Sequence, residues 1–253
     1  MEKKQIAAQL YTLREFTQNP ADIAGTFAKV RKIGYEAVQI SALGPIDDKE
    51  LVKIAQNEGI NICASHDNGK LICEETDKVI EHLLNINCKY TAYPYPHYYP
   101  KTANGVIEFA RAINKAAIKM KEAGITLCYH NHAIEFQKFD GEFMLDIILR
   151  EAPQVQGELD THWVQAGGQD PTKWIEKLSS RQPLLHLKDY AVVGNDRRLA
   201  AVGSGNLDWN SIILAGEKAG VQYFIVEQDD CYGVNPFDEL KSSYDYLTEN
   251  FVK

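Results

Sequence analysis

The sequence lacks any apolar run near the roughly 18 residues that a membrane-spanning helix needs, so no membrane partner is expected. It lacks a basic patch as well. The densest groupings, Glu2-Lys3-Lys4 and Asp196-Arg197-Arg198, are short and mixed with acid, and 35 acidic against 27 basic residues leave a net charge of −8. Such a chain repels a phosphate backbone, which excludes nucleic acid as a partner. CxxC spacing is missing: Cys63, Cys73, Cys88, Cys128 and Cys231 are odd in number and scattered. That pattern reads as reduced thiols in a cytoplasmic protein rather than a disulfide framework. MEKK is followed by only a short, mildly apolar stretch before Arg14 and Glu15, so no secretory leader is expected. No Gly-, Ser- or Pro-rich linker divides the chain, and the expectation is one domain over residues 1–253.

What is present is an alternation. Short β-rich runs recur about every thirty residues, at Gln5 to Tyr11, Ala37 to Ser41, Ile60 to Ser65, Tyr90 to Tyr93, Ile125 to His130, Val155 to Asp160, Leu184 to Leu187 and Tyr223 to Glu227. Apolar residues repeat at helical spacing between them. Asn19-Pro20 opens a first helix that Gly34 closes, and Asp47 or Asp48 and Gly59 bound a second. Further helices are predicted over Glu74 to Asn87, Ala103 to Ala123, Glu142 to Arg150 and Pro171 to Leu178. Asp208 then caps one ending at Gly220, and Asn235-Pro236 opens the last. The phrases KIGYEAVQI, NEGINICAS, EAGITLCYH and KAGVQYFIV all read helix end, glycine, strand, as expected where one βα unit is reused. This pattern predicts an α/β fold, a single-domain (β/α)8 TIM barrel. A doubly wound open sheet is the weaker alternative, because Leu10 to Phe16 has none of the glycines that fold carries after its first strand.

In a barrel the C-terminal strand ends carry the chemistry, and ionisable residues gather there. The fifth strand runs into His130, Asn131, His132 and Glu135; the sixth ends in Glu158, Asp160 and His162; the seventh in His186, Lys188 and Asp189; the eighth in Glu227, Asp229 and Asp230. The third adds His66 and Asp67. Converging carboxylates repel one another unless a cation lies between them, and a mixed set of imidazoles and carboxylates suits one divalent metal ion, Mn, Co, Zn or Mg. Each position has a plainer reading. Asp160 can cap the turn that follows, His186 can be a hydrogen-bonded barrel histidine and Glu227 can pair with a lysine. Their joint occurrence at three successive strand ends favours the metal.

The motifs QLYTLR at the first strand, YHNHAIEF at the fifth, ELDTHW with AGGQDP at the sixth, HLKD at the seventh, VGSGNLDW after it and VEQDD at the eighth together resemble the xylose isomerase-like barrel superfamily. The likeness runs the length of the chain and is closest to the inosose dehydratase branch. That superfamily typically holds one divalent cation with a glutamate, an aspartate, a histidine and a second glutamate from strands five to eight. The resemblance implies metal ligation by Asp160, His186 and Glu227, but the first glutamate's position is taken by His130. Either His130 is the fourth ligand or Glu135 folds back to fill the place; the greater rigidity of a strand end favours His130. Trp163 stands where related enzymes often have histidine, which suggests an apolar wall for a sugar ring. Gly203-Ser204-Gly205 leaves a phosphate-binding loop open.

The resemblance implies a divalent-metal-dependent sugar isomerase or epimerase acting on a keto sugar or keto-polyol through an enediolate. A dehydratase or lyase on a keto-inositol or keto-glycoside is the alternative, and a catalytically inactive sugar-binding barrel is the alternative of another class. A DNA-repair endonuclease of the same superfamily is disfavoured by the acidic charge. Candidate proton-transfer residues are His132, Glu135 and Glu227, with Lys188 stabilising negative charge and Tyr11, His66 and Trp163 contacting substrate. The expected partner is a small-molecule sugar or polyol, and a homo-oligomer is compatible with the sequence.

Overall fold

The structure, a computed structural model, describes residues 1–253. Eight parallel strands follow one another around a closed barrel: β1 (Ile6–Gln9), β2 (Ala37–Ile40), β3 (Asn61–His66), β4 (Tyr90–Tyr93), β5 (Thr126–His130), β6 (Gln156–Asp160), β7 (Leu184–Leu187) and β8 (Tyr223–Val226). Pairing of Ile6, Ala7 and Ala8 with Phe224, Ile225 and Val226 closes the ring. All eight lie within two residues of the expected runs.

Local chemistry sets the helices. In α1 (Pro20–Ile33) the Asn19 side chain accepts from Asp22 N–H and proline takes the first turn. Asp47 caps α2 (Asp48–Glu58), which Gly59 ends with a left-handed φ of 63°. Asn68 caps a short helix that the periodicity does not predict, α3 (Gly69–Glu74); Glu75 then leaves helical geometry, and the helix predicted over Glu74 to Asn87 is α4 (Thr76–Asn85). Next come α5 (Ala103–Glu122) and α6 (Met144–Glu151). The latter starts two residues later than predicted, because Asp140-Gly141, both at positive φ, turn a hairpin that pairs Lys138–Phe139 with Glu142–Phe143. The remaining helices are α7 (Thr161–Ala166), α8 (Pro171–Lys177), α9 (Trp209–Ala219) and α10 (Pro236–Phe251). Neither α7 nor the antiparallel hairpin Asp189–Val193 with Asp196–Ala200 was expected from periodicity.

The barrel interior is built in two levels by period-two alternation. Ala7, Ala37, Cys63, Ala64, Ala92, Cys128, Leu184 and Ile225 form a buried cluster supplied by strands alone. Leu127, Tyr129, Leu159, Leu185 and Phe224 belong instead to the larger core shared with the helices. Two residues beyond six of the interior positions stand Gln9, Gln39, His66, His130, His186 and Glu227. An apolar plug thus underlies a polar level at the C-terminal end. Cys128 fixes the parity that puts His130 on the interior side.

Just beyond β7, the buried carboxylate of Asp189 accepts from the backbone N–H groups of Tyr190 (2.8 Å), Gly203 (3.1 Å), Gly205 (3.1 Å) and Leu207 (3.3 Å) and from Trp209 Nε1 (2.7 Å). A Cβ on Gly205 would fall 2.3 Å from Asp189 Oδ1, so glycine is required for this wrap. Asp189 follows Lys188 directly, and the wrap therefore fixes the strand end that bears the site. Asp189→Ala strands five donors and is expected to lower unfolding free energy by about 3 kcal/mol or more, measured by urea denaturation. A loss below about 1 kcal/mol would show that the wrap does not need its carboxylate.

Candidate metal and substrate site

Four side chains from four adjacent strand ends converge at the barrel mouth. His130, Asp160, His186 and Glu227 are all buried, and each offers a ligand atom within 4.8 Å of the others. His130 Nε2 lies 3.5 Å from Asp160 Oδ2. His186 Nδ1 lies 4.0 Å from Asp160 Oδ2 and 2.8 Å from Glu227 Oε2. A four-coordinate ion with bonds of about 2.0–2.2 Å holds its ligand atoms about 3.4 Å apart, which matches this spread.

The polar atoms themselves test the fit. Both ring nitrogens of His130 are buried without a hydrogen-bond partner, and Asp160 Oδ2 faces them with the Lys188 ammonium on its other side. Buried polar atoms are nearly always paired, so unspent ring nitrogens facing a carboxylate mark a place prepared for a ligand. Burial, and then the neighbouring His186, lowers the pKa of His130 and keeps it in the neutral form that coordinates metals. Two imidazole nitrogens with two carboxylate oxygens suit Mn, Co or Zn better than an all-oxygen cation such as Mg.

The plainer readings hold alongside this one, because each side chain divides its atoms. Asp160 Oδ1 accepts from Trp163 N–H at 2.9 Å and so caps α7, leaving Oδ2 turned toward the site. His186 Nε2 bonds Gln39 Oε1 at 2.7 Å, leaving Nδ1 toward the site. Glu227 does pair with a lysine, but a buried one.

That lysine is Lys188. Its ammonium lies 3.0 Å from Asp160 Oδ2, 2.9 Å from Glu227 Oε2 and 3.0 Å from Asp229 Oδ2. Burial alone would lower its pKa, but these carboxylates outweigh burial and hold it above the ordinary lysine range. Burial likewise pushes Asp160 up, yet Lys188 holds its carboxyl below the usual range. Burial and then the charge of Glu227 raise Asp229 to about 6. Asp229 was visible in sequence only as one acid among several; its contact with Lys188 became evident in the fold.

Glu135 lies apart from the four. Its carboxylate accepts from Tyr129 Oη at 2.9 Å and from His132 N–H at 2.7 Å, and burial raises its pKa to about 7. It braces the turn that presents His132, while His130 shares the group with Asp160. His132 lines the cavity, its Nδ1 is buried and unpaired, and burial with its neighbours His130 and Lys188 lowers its pKa to about 3.

The cavity above has a volume near 670 Å³ and is also lined by Tyr11, Arg14, His66, Asp67, Tyr95, Lys188, Glu227 and Asp229. Trp163 is not on its wall. Its ring backs His132 (centroids 5.3 Å apart) and lies 5.4 Å from Lys188 Nζ. Arg14, Tyr95 and Asp67 were missed because nothing in local spacing marks a loop residue as cavity-lining. Gly203-Ser204-Gly205 does not offer free amides, since Gly203 and Gly205 donate theirs to Asp189.

The family profile of the xylose isomerase-like TIM barrel matches residues 27–250. Among solved structures, a sugar phosphate isomerase/epimerase from Parabacteroides distasonis superposes with a TM-score of 0.84 at 23% identity, covering 100% of this chain and 96% of that one. An L-ribulose 3-epimerase gives 0.76 at 15% identity, covering 98% and 94%. A protein described as the probable 3-DHS dehydratase involved in petrobactin synthesis, from Bacillus anthracis, gives 0.72 at 14% identity, covering 98% and 99%. No curated protein sequence matches the chain. No helix is long and apolar enough to cross a membrane.

Glu135 supplies a pH test. Folded, it keeps its proton up to about pH 7, whereas it starts from an ordinary value of 4.5. Because its folded pKa is raised, the native state binds more protons across that window, and this group's contribution to stability falls as pH rises from 4.5 to 7. Glu135→Gln removes that term. Urea unfolding at pH 5 and pH 8 should show the variant gaining on wild type at the higher pH; a constant difference would mean that Glu135 is ionised in the fold.

Proposed function

The chain belongs to the xylose isomerase-like TIM-barrel family, and from that premise we propose that it is a divalent-metal-dependent isomerase or epimerase of a keto sugar or keto-polyol. The observation that carries this reading is the pair of unspent ring nitrogens on His130, facing Asp160, His186 and Glu227 in a buried, mixed-ligand ring. His130 Nε2, Asp160 Oδ2, His186 Nδ1 and Glu227 Oε2 would hold the cation. When bound, it supplies electrophilic polarisation of a carbonyl and its neighbouring hydroxyl, which acidifies the adjacent C–H.

The chain's own residues do the rest. Lys188, cationic and buried, stabilises negative charge on the substrate oxygen as an enediolate forms. His132 lines the cavity, and its imidazole is the proton carrier from one face or carbon to another; burial makes it a weak base on its own, and the negative charge of the enediolate beside it would raise its hold on the proton. Glu227, on the same wall, is the second base. Glu135 acts through His132 by holding its backbone. Tyr11 lines the cavity as a partner for hydroxyls, His66 meets the substrate through its ring face because its nitrogens are taken by Glu158 and Gln9, and Trp163 acts by packing behind His132 and Lys188.

The charges favour an uncharged substrate over a sugar phosphate. Lys188 is surrounded by Asp160, Glu227 and Asp229, and Arg14 lies on the Tyr11 ring with its Nη1 bonded to the Tyr11 carbonyl. The amides of Gly203 and Gly205 are spent on Asp189.

The test is exchange of substrate α-hydrogens for deuterium in heavy water, followed by NMR over a panel of keto sugars and keto-polyols with Mn²⁺ present. Exchange should stop with chelator and fall by about 100-fold or more in Asp160→Asn. Exchange that ignores the chelator would refute metal dependence. Bound metal with no exchange on any substrate would leave a sugar-binding barrel, and loss of water or of a glycosidic bond would give the dehydratase or lyase.

A further inference from the structure

Beneath the ligand ring lies a second group of polar side chains that the proposed chemistry does not use. Gln9, Gln39 and Glu158 are fully buried inside the barrel, and His66 reaches down to them from the cavity wall. Glu158 Oε1 accepts from Gln39 Nε2 at 2.7 Å, and its Oε2 lies 2.6 Å from His66 Nε2. Gln39 Oε1 is 2.9 Å from Gln9 Nε2 and 2.7 Å from His186 Nε2. Gln9 Nε2 also approaches His66 Nδ1 at 3.5 Å, and Gln9 Oε1 accepts from Tyr11 N–H at 3.3 Å.

His66, Glu158 and His186 could be taken for a second metal site, but their atoms are spent. Each faces a hydrogen-bond partner at ordinary distance, unlike the His130 ring nitrogens above them. Their directions carry the information instead. Glu158 as a carboxylate only accepts, so it turns the amide of Gln39 to present its NH₂ to Glu158. The carbonyl of Gln39 is then left facing His186. A carbonyl there requires a hydrogen on His186 Nε2, so the proton that a cation would displace is the one on Nδ1, which faces Glu227 Oε2 at 2.8 Å.

We propose that Glu158, acting through Gln39, is a positioning residue that sets the orientation and tautomer of His186 for the cation, and that the same carboxylate fixes His66 at the cavity floor. The proposal rests on the metal-dependent reading above and adds to it a carboxylate–amide–imidazole chain spanning β6, β2 and β7. Without the carboxylate the Gln39 amide keeps only Gln9 Nε2 to hold its orientation and can turn its NH₂ toward His186, so that His186 no longer presents Nδ1 consistently.

The test is Mn²⁺ titration of wild type, Glu158→Gln, Gln39→Met and the double variant, each checked for a native circular dichroism spectrum and cooperative melting. Each single variant should bind Mn²⁺ about 10–100-fold more weakly. The double variant should lose no more than the worse single, because the two act in one chain. The visible absorption of the Co²⁺ form should change in both singles, a signature that mere loss of stability would not give. Should Glu158→Gln fail to fold, Gln39→Met and Gln9→Met carry the same comparison. Affinities within about twofold of wild type in folded variants, or losses that multiply, would overturn the chain while leaving the metal site intact. A wild type that takes up no Mn²⁺ would overturn both readings.

Discussion

Carboxylates buried side by side must be paid for with positive charge, and that constraint governs the upper half of this barrel. Asp160, Glu158 and Glu227 are all at most 4% exposed. Each buried ion costs several kcal/mol unless partnered. The chain answers with Lys188, which touches Asp160, Glu227 and Asp229, and with His186, which lies between Glu227 and Glu158. Burial would neutralise His186, but without a cation the two glutamates outweigh it and raise its pKa to about 10, so a metal bound at Nδ1 takes the place of a proton. Within the ring of four, the His130 nitrogens are left without a partner, and they define where an added cation belongs.

The constraint also explains the two-level interior. Small apolar side chains such as Ala7, Ala37 and Cys128 close the bottom, so the polar residues two positions later sit above a dry floor. Charges there interact more strongly than at a solvated surface. The Asp189 wrap fixes the end of β7, where Lys188 must stand, and the Asp160 cap does the same for β6.

Much of this was legible in the sequence because period-two strands and glycine-ended helices follow from local chemistry. The eight strands and the gathering of His130, Asp160, His186 and Glu227 at their ends needed no tertiary information. Period-two alternation and the rigidity of a strand end favour His130 over Glu135 in the sequence, and Cys128 puts His130 on the interior side of β5. What could not be read were contacts between residues far apart in the chain. Gln39 meets Glu158 across 119 positions and His186 across 147, and an isolated glutamine in a strand carries no signal of either. Gly203-Ser204-Gly205 has the composition of an anion loop, but the chain supplies its own anion in Asp189. Trp163 was placed on the sugar wall by analogy of position, whereas its capping contact with Asp160 sets it behind His132 and Lys188.

The most direct test of the account is a crystal structure of the protein grown with Mn²⁺ and measured at an anomalous wavelength. One anomalous peak is predicted, within about 2.0–2.3 Å of His130 Nε2, Asp160 Oδ2, His186 Nδ1 and Glu227 Oε2. A peak bound by Glu135 in place of His130, or no peak at the barrel mouth, would contradict it.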